Sequence, residues 1–283
     1  MLTYATYSEA GGVGKTTLAA SLADEHTRVG RNVLTVDLDP QYGSLTHLLG
    51  VDAPRDDGDA DNLARHLIDR PKGDFNELIL ETDFGFDVVP SHNMMERLGD
   101  LLTRAEQMAA DLDEAFDPTD QLRRVLLEAG VPSEYDTIII DPPATAGPHL
   151  YNAVNATRSL VIPIEPTGKG MQSIYGLEEL VDGLEGTISN GDEQVEIGVL
   201  AGVPNGIGRT SDQQEYLEEI RNRGYPAPVA IRTRESLFQG CWKEQCTPRY
   251  YVEHHRDRKR DHEMETLEKL EQLAAEITEV GER

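Results

Sequence analysis

The segment Ser8-Glu9-Ala10-Gly11-Gly12-Val13-Gly14-Lys15-Thr16-Thr17 joins a short β-branched run to the start of a helical pattern. Its glycines allow the backbone to wrap closely round a polyphosphate with N–H groups pointing inward. In loops of this kind the lysine, here Lys15, reaches the β and γ phosphates, and the next hydroxyl, here Thr16, ligates Mg²⁺. A strand, this loop and a helix in direct succession therefore predict a phosphate-binding loop at the end of the first strand.

Short β-branched runs alternate with helical patterns along the rest of the chain. The runs are Leu2 to Thr6, Asn32 to Val36, Phe86 to Val89, Thr137 to Ile140, Leu160 to Ile164, Val195 to Val203 and Val229 to Ile231. This alternation predicts a doubly wound α/β fold, in which a mostly parallel sheet carries helices on both faces. We expect a single domain over residues 1–283.

Two segments between the strands and one after the last strand have mostly apolar residues at helical spacing, and each predicts a stripe that faces the core. The stripes are Leu18, Leu22, His26 and Val29; Leu177, Leu180, Val181 and Leu184; and Met264, Leu267, Leu270, Ala274 and Ile277. The third stripe predicts a docked C-terminal helix over residues 261–283, whose other face is acidic. A helix that lies on a membrane surface needs the opposite charge, so we discount that role. The Asp-rich stretch from Asp52 to Asp61 predicts a solvated loop.

The balance of charge limits the class of protein. Asp and Glu number 52 against 26 Lys and Arg, which leaves a formal net charge of -26 and excludes a generally basic nucleic-acid binder. Such an excess makes the compact state repel itself in ordinary salt, whereas molar salt shortens the Debye length to about 3 Å. We favour a halophilic protein, and an acidic mesophilic protein is the alternative. Two cysteines, no leader and no apolar run of about 18 residues predict a cytoplasmic protein that does not cross a membrane.

The phosphate loop departs from the general pattern, which has glycine where this chain has Glu9. In this respect it resembles the deviant Walker A motif of the ParA/MinD family of ATPases, where Gly-Gly-Val-Gly-Lys-Thr-Thr is typical. Two further segments resemble motifs of that family in the same order: Val36-Asp37-Leu38-Asp39-Pro40-Gln41, and the Walker B strand and switch loop Tyr135-Asp136-Thr137-Ile138-Ile139-Ile140-Asp141-Pro142-Pro143. Weaker similarity extends over nearly the whole chain.

The resemblance implies a P-loop fold and a slow Mg-dependent ATPase that closes into a homodimer with ATP. The nucleotide-binding loop would be Gly11, Gly12, Val13, Gly14, Lys15, Thr16 and Thr17. Asp39 would orient or activate the attacking water, Asp37 would support the loop and the Mg²⁺ surroundings, and Asp141 would hold Mg²⁺ through water, with Thr16 as a further ligand. Carboxylates at the ends of adjacent parallel strands do converge on the crevice where such sheets bind ligands. Asn205, after a later strand, would read the adenine edge.

The family's signature lysine, which reaches the partner subunit's phosphates, is absent, because Ala10 stands immediately before Gly11. Either hydrolysis is impaired or another cation substitutes. Lys169, in Thr167-Gly168-Lys169-Gly170 just past a strand end, is the candidate substitute, with a catalytic contact to the ATP of the opposing subunit. The alternative is an ordinary loop lysine.

A local basic run stands out in this acidic chain. Between residues 249 and 260 lie Arg249, Arg256, Arg258, Lys259 and Arg260 against Glu253 and Asp257, and Arg232 and Arg234 precede them. Since ParA relatives bind DNA without sequence preference, the resemblance makes these residues a candidate DNA-binding surface. The alternative is a run that balances acidic neighbours.

Cysteine and histidine lie close together in the same part of the chain. Cys241 and Cys246 are followed by His254 and His255, a set that includes zinc-ligating residue types. A buried thiol pair beside Trp242 and surface imidazoles is the interpretation we favour.

The sequence thus predicts an ATPase that partitions or positions DNA or another cargo with a ParB-like or cargo-adaptor partner, in the cytoplasm on the nucleoid. Two alternatives remain. One is an ATP-switched interaction module with little hydrolysis, which Ala10 favours and Asp39 opposes. The other is a MinD-like division-site regulator, which the acidic C-terminal helix opposes.

Overall fold

The structure, a computed structural model, describes residues 1–165, 167, 179, 181–189, 195–208, 211–222 and 226–283. Within them lies an eight-stranded sheet with the order β3-β4-β2-β5-β1-β6-β7-β8. The strands are β1 (Leu2–Thr6), β2 (Val33–Asp37), β3 (Leu80–Glu81), β4 (Asp87–Val89), β5 (Thr137–Asp141), β6 (Ser159–Ile164), β7 (Gly198–Ile207) and β8 (Ile231–Arg232). Only β3 is antiparallel to its neighbour, which confirms the mostly parallel sheet.

Helices cover both faces of the sheet, as expected. They are α1 (Lys15–Arg28), α2 (Leu45–Leu48), α3 (Leu63–Leu67), α4 (Leu98–Asp111), α5 (Gln121–Glu128), α6 (Val131–Glu134), α7 (Pro148–Thr157), α8 (Ser211–Asn222), α9 (Glu235–Glu244), α10 (Pro248–His254) and α11 (Asp261–Gly281). Residues 181–188 are also helical, and 3-10 turns occupy Phe75–Leu78 and Asn93–Arg97.

Each face of the sheet has its own apolar core. Ile138 and Ile140 of the central strand β5 pack into one core with α5 and α7, whereas Ile139 packs into the other with α1 and α11. A strand that is buried on both faces reads as a continuous apolar run, which is why β5 was recognisable from the sequence. β3 was not anticipated, because two residues carry no periodicity.

The predicted core stripes are largely correct. Leu18, Leu22 and His26 are buried, and so are Leu184, Leu267, Leu270, Ala274 and Ile277, while Met264 and Val181 are partly buried. Val29 is wrong: α1 ends at Arg28, and Val29 is 71% exposed. Leu177 and Leu180 lie outside the described residues. No helix in the described part of the chain is long and apolar enough to span a membrane.

The order of the strands places the loop after β1 near the middle of the sheet, at the carboxyl ends of the parallel strands. The chain passes from β1 through α1 to β2 on one side, and β6 lies on the other side of β1. Where the order of the strands reverses in this way, the loops at the carboxyl ends of neighbouring strands separate and leave a crevice.

Candidate nucleotide site

The phosphate loop connects β1 to α1 through two residues with left-handed backbone conformations, Gly12 (φ 77°) and Gly14 (φ 89°). Gly14 caps α1 without a side-chain hydrogen bond. The first N–H groups of α1 are therefore left without a side-chain partner, at the positive end of the helix dipole, where phosphate oxygens bind favourably.

Asn205, at the end of β7, holds this loop in place. Its Nδ2 donates to the Val13 carbonyl (2.7 Å), and its Oδ1 accepts from the Gly206 N–H (3.0 Å). A Cβ on Gly14 would lie only 2.6 Å from Asn205 Nδ2, so a side chain at this position would displace the Asn205 amide. Asn205 also lines the cavity above the loop, and its predicted role in reading the adenine edge stays a prediction.

Lys15, at the start of α1, and Asp141, at the end of β5, influence each other electrostatically. Burial lowers the pKa of Lys15, while the charges of Asp141 and Asp39 oppose that shift. Thr6 Oγ1 donates to Asp141 Oδ1 (2.8 Å), and Asp141 Oδ2 is buried without a hydrogen-bond partner. Burial, followed by the charge of Asp37, raises the pKa of Asp141 to about 7.

The Oδ2 atom of Asp141 and the hydroxyl of the adjacent Thr16 are both oxygen atoms of the kind that ligate metal ions. Mg²⁺ prefers such ligands and commonly takes one or two of them from the protein. The residues present therefore fit the predicted magnesium site.

Asp37 shapes the loop that follows β2. Its Oδ1 accepts from the Asp39 N–H (2.9 Å), and its Oδ2 accepts from the N–H (2.7 Å) and hydroxyl (2.6 Å) of Thr46. Burial raises the pKa of Asp37 to about 6, against the effect of these hydrogen bonds. Asp39 Oδ1 in turn accepts from the Gln41 N–H (2.9 Å).

A cavity of about 570 Å³ opens above the phosphate loop. Residues 11–17 line it together with Asp39, Gln41 and Asn205, whereas Asp37 and Asp141 are buried and do not line it. The cavity is also lined by Gly206 of β7, by polar residues of β8 and the turn after it, and by Phe238 and Trp242 of α9. Its size and mixed lining are those of a small-molecule or cofactor site.

The aromatic lining residues Phe238 and Trp242 were not predicted as part of the site. Trp242 Nε1 donates to Thr17 Oγ1 (3.3 Å), which joins α9 to the start of α1. Aromatic residues four apart on a helix usually mark a core face, so no local signal distinguished them as cavity residues.

The candidate DNA-binding residues are dispersed. Arg232 and Arg234 line the nucleotide cavity, and Arg234 lies 3.5 Å from Glu265. Arg249 is buried, with Nε and Nη2 each 2.8 Å from the Glu25 carboxylate. The expectation that Arg249 belongs to an exposed basic surface is wrong, because the chain buries a carboxylate opposite it.

The remainder of the basic run is exposed to different degrees. Arg256 donates to the buried Glu263 (2.6 Å), and Arg260 lies 3.7 Å from the same carboxylate. Arg258 and Lys259 are exposed, and neither has an ion-pair partner among the residues that the structure describes. Lys169 lies outside those residues.

The thiol-pair interpretation is confirmed: Cys241 and Cys246 are free and buried. His254 and His255 are exposed and stack on Tyr250 and Tyr251. Among the described residues no group of three or more His, Cys, Asp or Glu side chains is arranged to hold a metal ion.

Comparison with known proteins adds a family to this geometry. Residues 1–197 match the family described as "AAA domain". The chain is 32% identical over 170 residues to the chromosome-partitioning ATPase Soj of Thermus thermophilus. The aligned region covers 60% of this chain and only 57% of that protein. It is 25% identical over 242 residues to the maintenance of carboxysome distribution protein A of Synechococcus elongatus (84% of this chain, 88% of that protein).

Solved structures share the fold. Apo McdA from Cyanthece has a TM-score of 0.72 at 20% identity, over 98% of this chain and 99% of that chain. Cobyrinic acid a,c-diamide synthase from Mycobacterium smegmatis, with bound ADP and magnesium, has a TM-score of 0.67 at 22% identity, over 90% and 97%.

The sheet order and the phosphate loop at its centre define a P-loop nucleotide-binding protein. Within that class, the chain belongs to the ParA/MinD family of P-loop ATPases.

Proposed function

We propose that this protein is a dimerising, Mg-dependent ATPase that uses ATP as a switch to partition or position DNA or another cargo. The observation that carries the proposal is the meeting of Lys15, Thr16 and Asp39 at one cavity, with the buried Asp141 close enough to influence the pKa of Lys15. Family membership and the names of the relatives Soj and carboxysome distribution protein A support it.

The residues divide the chemistry between them. Backbone N–H groups of residues 11–16 and the Lys15 ammonium hold the phosphates and stabilise charge on them. When bound, Mg²⁺ would neutralise phosphate charge, held by Thr16 and Asp141. Asp39 Oδ1 is occupied by the Gln41 N–H, and Oδ2 accepts no hydrogen bond from the described residues, so it is available to orient the attacking water.

The site lacks one cation in this family's pattern, since Ala10 occupies the position of the signature lysine. We therefore expect slow turnover, with Lys169 of the opposing subunit supplying the missing charge. Lys169→Ala should abolish hydrolysis or ATP-dependent dimerisation. Unchanged turnover and dimerisation in this variant would reject the role of Lys169.

The second candidate function, an ATP-switched interaction module with little hydrolysis, is favoured by the same Ala10. Phosphate release and molar mass in solution distinguish the two, measured with Mg-ATP for the wild type and Asp39→Ala. Turnover that the variant loses while it still dimerises supports the ATPase. ATP-dependent dimers without turnover in the wild type support the module.

For DNA, the proposal now depends on the exposed loop between α10 and α11, where Arg258, Lys259 and Arg260 lie. Binding to a non-specific duplex in molar KCl is compared with Mg-ATP and Mg-ADP. Replacing all three by Ala should reduce the slope of log K against log salt by about 2.7, if each contacts one phosphate. A control that removes three exposed cations elsewhere, Arg97, Arg104 and Lys243, should leave the slope unchanged.

The outcomes of the DNA experiment distinguish DNA from a protein scaffold as the surface to which the ATPase binds. ATP-dependent binding that only the loop variant loses supports a DNA-tracking ATPase in the cytoplasm, on the nucleoid, released by a ParB-like or cargo-adaptor activator. Absence of DNA binding with either nucleotide would indicate that the ATPase works on a protein scaffold.

A further inference from the structure

Arg55 is the largest fully buried side chain in the described part of the molecule, with 1% exposure. It lies in the Asp-rich stretch between α2 and α3, where the sequence predicted only a solvated loop. Its neighbours Asp56 and Asp57 are exposed, so the stretch is solvated on the outside but directs this one guanidinium inward.

All three contacts of the guanidinium fall on the segment that follows Asp39. Nη2 donates to the Pro40 carbonyl, and Nη1 donates to Ser44 Oγ (3.1 Å). The guanidinium carbon lies 4.8 Å from the centre of the Tyr42 ring, at a distance typical of a cation–π contact. Arg55 therefore holds the beginning, middle and end of residues 40–44.

Asp37 also holds this segment and the residue before it. Asp37 accepts from the Asp39 N–H, and the Ser44 hydroxyl that Arg55 contacts also lowers the pKa of the Asp37 carboxyl. Arg55 is anchored in turn, since its carbonyl accepts from the Asn93 N–H (3.1 Å). The Asp39 loop is thus fixed between a buried carboxylate and a buried cation.

Burying a guanidinium is costly, and folded proteins normally offset that cost with a carboxylate, as Glu25 does for Arg249. Arg55 has no ion-pair partner among the described residues, and its Nε is buried without a hydrogen bond. The guanidinium instead donates hydrogen bonds to a carbonyl and a hydroxyl beside the nucleotide cavity. An ion pair among the described residues therefore does not account for the burial of Arg55.

We propose that Arg55 is a positioning residue for ATP hydrolysis, which fixes residues 40–44 so that Asp39 presents its free oxygen to the attacking water. The inference rests on the proposed ATPase function. A group that orients the nucleophile must be held closely, because a displacement of about 1 Å can lower the rate about 100-fold.

The test uses Arg55→Met, which keeps the length of the side chain but removes every donor. Turnover at saturating ATP should fall about 10- to 100-fold. ATP affinity, read from the fluorescence of Trp242, the only tryptophan, should change less than about threefold, because the phosphate loop is untouched. Arg55→Lys, which has donors but no planar fork, should show intermediate turnover. Unchanged turnover, or a loss of affinity with turnover intact, would overturn the proposal.

Arg249→Met is the matched control, because it also removes a buried arginine but lies away from the Asp39 loop. If it lowers thermal stability at least as much as Arg55→Met and retains turnover, general destabilisation does not explain the Arg55 effect. Equal losses of turnover in both variants would contradict a positioning role.

A second readout does not require hydrolysis. In nucleotide-free protein, Arg55→Met should accelerate hydrogen–deuterium exchange at the amides of Asp39, Gln41 and Thr46 but not at Leu18 in the first turn of α1. If the wild type binds ATP without turnover, the proposed hydrolysis fails, and this pattern alone decides whether Arg55 holds the loop. Unchanged exchange at these amides would reject it.

Discussion

At the scale of single residues, the phosphate loop depends on one close contact with a distant strand. Gly14 combines a left-handed backbone with a position against Asn205, so a side chain there meets two obstacles. The sequence motif requires glycine at this position for phosphate binding, and the structure adds a second reason that involves a residue almost 200 positions away.

Replacement of Gly14 by Ala tests this double requirement. We expect Gly14→Ala to lose ATP binding in Trp242 fluorescence titrations, because the new methyl group displaces Asn205 and the loop with it. Gly30→Ala is the control: Gly30 has the same backbone conformation (φ 88°) with open space around its Cβ. It should cost about 1 kcal/mol of stability and leave ATP binding unchanged. Comparable loss of ATP binding in both variants would point to backbone strain alone.

His26 of α1 provides a test in the pH dependence of stability. It is buried against the Tyr4 hydroxyl (3.1 Å), and burial, followed by the charge of Arg31, lowers its pKa to about 3. Between pH 6.5 and 3 the unfolded chain binds a proton that the folded chain does not, so stability is lost as the pH falls.

His26→Asn removes this linkage. The free energy of unfolding, from urea titrations between pH 4 and 6, should fall with decreasing pH less steeply in the variant, by up to about 1.4 kcal/mol per pH unit. Parallel slopes for the two proteins would show that His26 does not contribute.

At the scale of elements, the N-terminal end of α1 belongs to the nucleotide site, and its C-terminal end is packed against another helix. Its first turn follows the phosphate loop, whereas Asp24 and Glu25 near its end are buried against Thr247 and Arg249 at the start of α10. This pairing removes Arg249 from the basic run that the sequence indicated. The run of charges was visible in the sequence, but the acidic partner of Arg249 was not, because it comes from another helix.

Breaking this ion pair should be costly. Arg249→Met leaves the Glu25 carboxylate buried without its partner, and we expect a loss of about 3–5 kcal/mol in urea unfolding. Adding Glu25→Leu removes the unpaired charge and should recover most of the loss. If the double variant is no more stable than the single variant, the cost arises from packing and not from the charge.

At the scale of the whole molecule, the net charge of -26 dominates the long-range electrostatics. Repulsion between exposed carboxylates opposes the compact state, and added salt screens it beyond a few ångströms. Buried contacts such as Arg249–Glu25 are screened far less, so the core and the site should tolerate molar salt.

Thermal unfolding in 0.1 M and 2 M KCl tests this. We expect the midpoint to rise with salt by roughly 4 °C or more, which corresponds to at least about 1 to 2 kcal/mol. A variant with four exposed acids made neutral, at Asp100, Glu106, Asp111 and Glu114, should be more stable at low salt and rise less. An equal rise in both proteins would mean that salt acts through hydrophobic burial and not through charge screening.

Local patterns in the sequence determined the fold class, the phosphate loop and the acidic residues at the strand ends. Each depends on residues close together in the chain: β-branched runs mark strands, glycines before Lys15 form the loop, and Asp37 and Asp141 terminate their own strands. Only the tertiary structure decided which charges are buried, which residues complete the cavity and which hold the Asp39 loop. Arg249, Trp242 and Arg55 acquire their partners from other elements, and burial and pairing across such distances leave no periodic signal in the chain.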